Sequence, residues 1–127
     1  MTIRIGVFGQ GMPQMIRLIK EQSGGKLEGI AVGDVDGAVA LKEGKLSYLV
    51  GVCYSGAGSA LGGVIAVLGR EKTGYASFIS FPPKEEKIRK MVMEGKVAFG
   101  LAREHIEKAI PMVVKAIMEK EKLNSKT

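Results

Sequence analysis

The chain has 127 residues, 46% hydrophobic and 25% charged, with 18 glycines and a net charge of +6. That suffices for one compact domain with its own core, and the glycines follow no collagen period. Basic and acidic side chains mix in both halves, which speaks against the clustered basic face that tracks a phosphate backbone, so no nucleic-acid partner is expected.

Residues 2–8 (Thr-Ile-Arg-Ile-Gly-Val-Phe) form a β-prone run ending in Gly9-Gln10-Gly11, a first strand and a tight loop. Pro13 suits a first helical position, Met12, Met15, Ile16 and Ile19 make an apolar face, and Gly24-Gly25 stops the helix. Residues 27–32 are the second strand. Asp34 or Asp36 is the expected cap of a small second helix that stops at Gly44, and residues 46–52 are the third strand.

Residues 46–69 carry no charge over 24 positions, long enough to raise the question of a membrane span. The glycine-rich Cys53-Tyr54-Ser55-Gly56-Ala57-Gly58 in the middle divides the stretch into a strand and a helix over residues 59–68, so no membrane partner is expected. That third helix is almost wholly small or apolar and is expected to be buried on most sides, by a second copy of the chain in a homodimer or by the last helix. A fourth strand is expected over 75–81 and a helix from Pro82-Pro83-Lys84-Glu85-Glu86 with Ile88, Met91 and Val92 inward. A fifth strand follows over 97–101, then a last helix from Arg103 with Ile106, Ile110, Val113 and Ile117 on one stripe, kinked at Pro111. The pattern is one α/β domain over 1–122 with a frayed tail over 123–127.

Five βα units with near-continuous apolar strands favour a parallel sheet between two helix layers, a flavodoxin-like three-layer sandwich in the order 2-1-3-4-5. Ligands in such sheets bind beyond the carboxyl ends of the strands where the winding reverses, here between strands one and three. That rule selects Gln10 and Gly11 in one loop, and Tyr54, Gly56, Ala57, Gly58 and Ser59 in the other, as ligand-binding positions for a small anion. Cys53 stands beside the same helix start, which favours a thiolate able to act as base or nucleophile, and Ser55 adds a hydroxyl. The competing reading of Cys53 is a small core residue. Lys84, Arg103 and His105 are further candidates for contacting the anion, set against plain solvated helix starts. Asp34 and Asp36 read as caps rather than ligands, the dispersed His, Cys and carboxylates make no metal site, and Gly9-Gln10-Gly11-Met12-Pro13 lacks the third glycine of a dinucleotide fingerprint, so no cofactor is expected.

The spacing Cys-x-Ser-Gly-x-Gly over residues 53–58 resembles the Cys-Gly-Thr-Gly-x-Gly motif of type B ribose-phosphate isomerases. That resemblance implies Cys53 as proton-abstracting base and Ser55 in place of the threonine. The Asp-His pair that these enzymes carry after their first strand is replaced by Gly9-Gln10-Gly11. Over nearly its whole length the chain is similar to the YhfU-like family of small uncharacterised bacterial proteins, through Ile-Gly-Val-Phe-Gly-Gln (5–10), Gly-Val-Cys-Tyr-Ser-Gly-Ala-Gly (51–58), Pro82-Pro83-Lys84-Glu85-Glu86, Ala98-Phe99-Gly100 and His105-Ile106-Glu107. The resemblance implies small-molecule metabolism. The expected function is binding of a small carboxylate- or phosphate-bearing metabolite, in one form an isomerase-like reaction with Cys53 as base. The alternative is a non-catalytic binding or regulatory module comparable to phosphotransfer-system IIB domains.

Overall fold

The computed structural model describes residues 2–54 and 61–125, with side chains through Lys122. The elements run β1 (Ile3–Gly9), α1 (Met12–Ser23), β2 (Leu27–Ala31), α2 (Asp34–Lys42), β3 (Tyr48–Cys53), α3 (Gly62–Leu68), β4 (Thr73–Tyr75), α4 (Glu85–Met93), β5 (Ala98–Ala102) and α5 (Ile106–Ser125), with 3-10 turns at Arg70–Lys72 and Arg103–His105. All strand pairs are parallel, and the order is β2-β1-β3-β5-β4.

The α/β sandwich is the one the strand and helix pattern predicts, but the order 2-1-3-4-5 is corrected at its far edge, where β5 lies inside and β4 outside. Residue character explains the exchange. An inner strand is paired along both edges and covered on both faces, and Ala-Phe-Gly-Leu-Ala of β5 is buried throughout. Thr-Gly-Tyr of β4 is three residues long and only partly buried, which suits an edge.

The order then fixes the layers, because each crossover is right-handed. The β1–α1–β2 and β4–α4–β5 units step one way along the sheet and the β2–α2–β3 and β3–α3–β4 units step the other. Helices α1, α4 and α5 therefore share one face and α2 and α3 the opposite one, as their packing of α5 on both α1 and α4 and of α2 on α3 shows. On the first face Val7, Val50, Val52, Phe99 and Leu101 meet Met15 and Ile19 of α1, Ile88 of α4 and Ile110 and Ile117 of α5. On the second, Phe8, Leu49 and Ala98 meet Ala38 of α2, Val64 of α3 and Leu61. The second face is lined by small residues for a steric reason: a Cβ at Gly51 would collide with the ring of Phe8, which lies across it.

Three further expectations change. The strand expected over 75–81 ends at Tyr75. Phe78 and Phe81 exchange backbone hydrogen bonds of 3.0 Å each around a turn, and Phe78 stacks on Tyr75 with ring centroids 5.0 Å apart. These aromatic residues satisfy β-propensity by packing on each other rather than by extending the strand. Neither Asp34 nor Asp36 caps α2. Extended Gly33 holds the cap position, and Asp34 is the first helical residue, its Oδ1 accepting the Val35 amide at 2.8 Å, where its charge suits the helix start. Of α3, only Val64 is buried, while Gly62 and Ala66 are exposed. The last helix does not cover it, since α5 packs on the opposite face. The start expected at Ser59 lies outside the described residues. The uncharged run over 46–69 thus resolves into β3 and α3, and among the described residues no helix is long and apolar enough to cross a membrane.

Candidate functional site

The carboxyl ends of β1, β3 and β5 stand side by side, and the register sets Gly9 beside Val52 and Cys53 beside Ala102. The β1–α1 connection is held short. The Gln10 amide donates to the Val52 carbonyl at 3.1 Å, and Gly11 takes a left-handed φ of 75° at the helix cap, packed so closely on α5 that a Cβ there would lie 2.6 Å from Ile106 Cδ1. Only glycine meets both demands. Gln10 is thereby presented, exposed, at the tip of the sheet.

From the other side of β3, the 3-10 turn after β5 delivers Arg103, whose Nη1 donates to Gln10 Oε1 at 3.4 Å. The contact spans the tip of β3, where Cys53 is half-buried and Tyr54 is 70% exposed. Tyr54, Arg103, Gln14, Ile79 and Glu104 line a cleft of about 280 Å³. Gln14 is anchored by donating from Nε2 to Glu107 Oε1 at 2.7 Å, and Arg17 also approaches that carboxylate at 3.5 Å. The cleft therefore has one guanidinium, one carboxylate, an amide, a phenol and an aliphatic wall.

His105, the only histidine of the chain, is not the exposed helix-start residue that its position suggests. It closes the 3-10 turn and is buried, with Nδ1 3.0 Å from Ser77 Oγ. Ser77 is itself buried and its oxygen accepts the Ala102 amide at 3.2 Å. Ser77 Oγ thereby ties the imidazole to the end of β5, and Nε2 on the other side of the ring lies 3.6 Å from Glu104 Oε1. Ser77 and Glu104 were not among the residues selected from the sequence. Ser77 sits within a run read as strand, and its partner is 28 positions away.

The structure thus brings Gln10, Gly11, Tyr54, Cys53, Arg103 and His105 to one edge. Lys84 is exposed at the cap position of α4, and among the described contacts none joins it to that group. Ser55, Gly56, Ala57, Gly58 and Ser59 lie outside the described residues, and with them the expected anion cradle before α3. Among the described residues no cluster of His, Cys, Asp or Glu has the makings of a metal site. A larger cleft, about 960 Å³, lies at the opposite edge among Thr2, Lys26 and Met118, away from every candidate residue described.

Residues 3–117 match the model of a family described as protein of unknown function DUF2620. The chain belongs to the DUF2620 family. It is 41% identical over 111 residues to the uncharacterized protein YhfU of Escherichia coli strain K12, which covers 87% of this chain and 95% of that protein, and it is equally similar to YhfU of Shigella flexneri. No solved structure matches the chain. The matched span of the DUF2620 family takes in β1 through most of α5, hence every element that carries the cleft.

Proposed function

We propose that the chain binds a small metabolite bearing a carboxylate or phosphate in the cleft at the carboxyl ends of β1, β3 and β5, with Arg103 meeting the negative charge. The observation that carries this reading is the Arg103–Gln10 contact across the tip of β3. It holds a guanidinium over a concave site at the position where doubly wound sheets take their ligands. Tyr54 lines the same cleft, and Gln10, in the loop beside it, accepts a hydrogen bond from the guanidinium. In its catalytic form the reading makes Cys53 the base of an isomerase-like proton transfer. Its support is the placement of the thiol at the end of β3, between the loops that bring Gln10 and Arg103. The experiment is a thermal-shift screen of phosphorylated sugars and small carboxylates, repeated on Arg103→Ala. A hit that disappears in the variant is the expected outcome; hits that persist unchanged overturn the role of Arg103. Native-state labelling of Cys53 by iodoacetamide, blocked by the same hit, is expected of a base in the site, and labelling only after unfolding overturns it.

The same reading assigns the protein to the cytoplasm, supported by its single cysteine, which can form no disulfide within the chain. Association of two copies through α2 and α3 is the proposed assembly. Its support is the uncharged α3 next to Val35 and Val39, which are 45% and 40% exposed on α2. Sedimentation at micromolar concentration and physiological salt tests it, with a 13.5 kDa species as the refuting result.

A further inference from the structure

The cleft carries more information than its positive charge. Arg103 and Glu104 are consecutive in the turn after β5, and both line the cleft, so the charges on its described walls balance. A cleft of zero net charge offers a multiply charged phosphate little field, whereas a ligand carrying one positive and one negative group is met on both sides. The remaining described walls are Gln14, Tyr54 and Ile79, the last two largely exposed to solvent at present. Exposed tyrosine and isoleucine facing into one concavity suit an apolar body of a ligand. The volume, about 280 Å³, suits a molecule of amino-acid size.

Glu104 is more than a surface carboxylate that happens to lie nearby. The buried Ser77–His105 pair places the Nε2 side of the imidazole 3.6 Å from Glu104 Oε1, and Ser77 in turn is tied to the end of β5 through the Ala102 amide. A chain of polar groups thus runs from the backbone of the inner strand to a carboxylate at the lip of the cleft. Such support orients an acceptor that would otherwise sample many rotamers.

We infer that the cleft takes a small zwitterion of the α-amino-acid type with an apolar side chain, its carboxylate on Arg103, its ammonium on Glu104 and its side chain against Tyr54 and Ile79. Glu104 is the residue that selects for the ammonium, and His105 and Ser77 are positioning residues for it. This rests on the proposed reading of the cleft as a metabolite site and narrows its ligand class.

The test is calorimetric titration with four probes: leucine, 4-methylpentanoate, 3-methylbutylamine and inorganic phosphate. Leucine is expected to bind at least roughly tenfold tighter than 4-methylpentanoate, the share of one charge-assisted hydrogen bond. Glu104→Gln, an exposed change, is expected to erase that difference. Ser77→Ala is expected to reduce the difference and Ser77→Thr to restore it. The single imidazole makes the accompanying nitrogen NMR unambiguous, and its signals are expected to shift with leucine. Equal binding of leucine and 4-methylpentanoate, or a difference that survives Glu104→Gln, overturns the inference. Phosphate as the tightest probe overturns it too but leaves the anion site standing; silence from all four removes both.

Discussion

On one face of the sheet Val50, Val52, Phe99 and Leu101 are packed under three helices, with α5 contributing Ile106, Ile110, Val113 and Ile117 fully buried; on the other, Leu49, Phe8 and Ala98 meet two helices, of which α3 buries only Val64. Both layers follow from the same right-handed crossovers, so the inequality comes from strand order alone: moving β5 inside sends α4 to the side of α1 and α5. The crowded face is a core in the ordinary sense. The thinner face uses small sheet residues to bring its helices close and leaves apolar helix surface uncovered, the surface to which the proposed assembly assigns a second copy.

The largest effect that would test this contrast is at Phe99. Truncating it to alanine empties a fully buried position on the crowded face and is expected to cost about 3–5 kcal/mol in urea denaturation. A loss under about 1 kcal/mol would show that this face is not the main core. On the thinner face the sharper probe adds atoms. Gly51→Ala places a methyl group against the Phe8 ring and is expected to destabilise by about 1–3 kcal/mol, with Phe8→Leu in the same chain relieving part of the loss. Additive losses in that double variant would mean that the ring is not what forbids the side chain.

A pH effect comes next and belongs to the crowded face. Tyr48 faces its lower end, where burial pushes the phenol well above its ordinary value, helped by the charge of Glu121 and by the hydrogen bond of 3.2 Å that the hydroxyl donates to it. A raised value means that the native state holds the proton more tightly than the unfolded chain. Stability is therefore complete below about pH 10, the range of an exposed tyrosine, and falls as the pH rises above it. Urea midpoints between pH 8 and 11 should show this decline in the native sequence and lose it in Tyr48→Phe. The smallest expected effect is Ala66→Glu on exposed α3, within about 0.5 kcal/mol for the isolated fold. The same change should dissociate a dimer built on α2 and α3, and sedimentation that does not change would locate any assembly elsewhere.

Much of this architecture is legible in the residues because each boundary has a local cause. Pro13 at the start of α1, Gly24 at its end and the unbroken apolar run of β3 need no tertiary context. The β4–β5 exchange is not local, since both orders satisfy right-handed crossovers and only the poorer burial of Thr73–Tyr75 against Ala98–Ala102 separates them. The site divides the same way. Gln10 and Arg103 follow from standing at strand tips. The Ser77–His105 bond depends on how the connection after β4 turns at Phe78 and Phe81, and aromatic residues in that segment imitate a strand.

The outer position of β4 also bears on how the protein behaves at high concentration. A sheet edge displays unpaired amides and carbonyls that can template a strand from a neighbouring molecule, and a long flat edge invites fibrils. Here that edge offers only three residues before the chain leaves the sheet and folds back at Phe78 and Phe81. The opposite edge, β2, is five residues long and carries Glu28 beside Arg4. Neither border is long enough to seed extended cross-strand growth, so the folded chain is guarded against polymerising through its sheet even where its helices invite company.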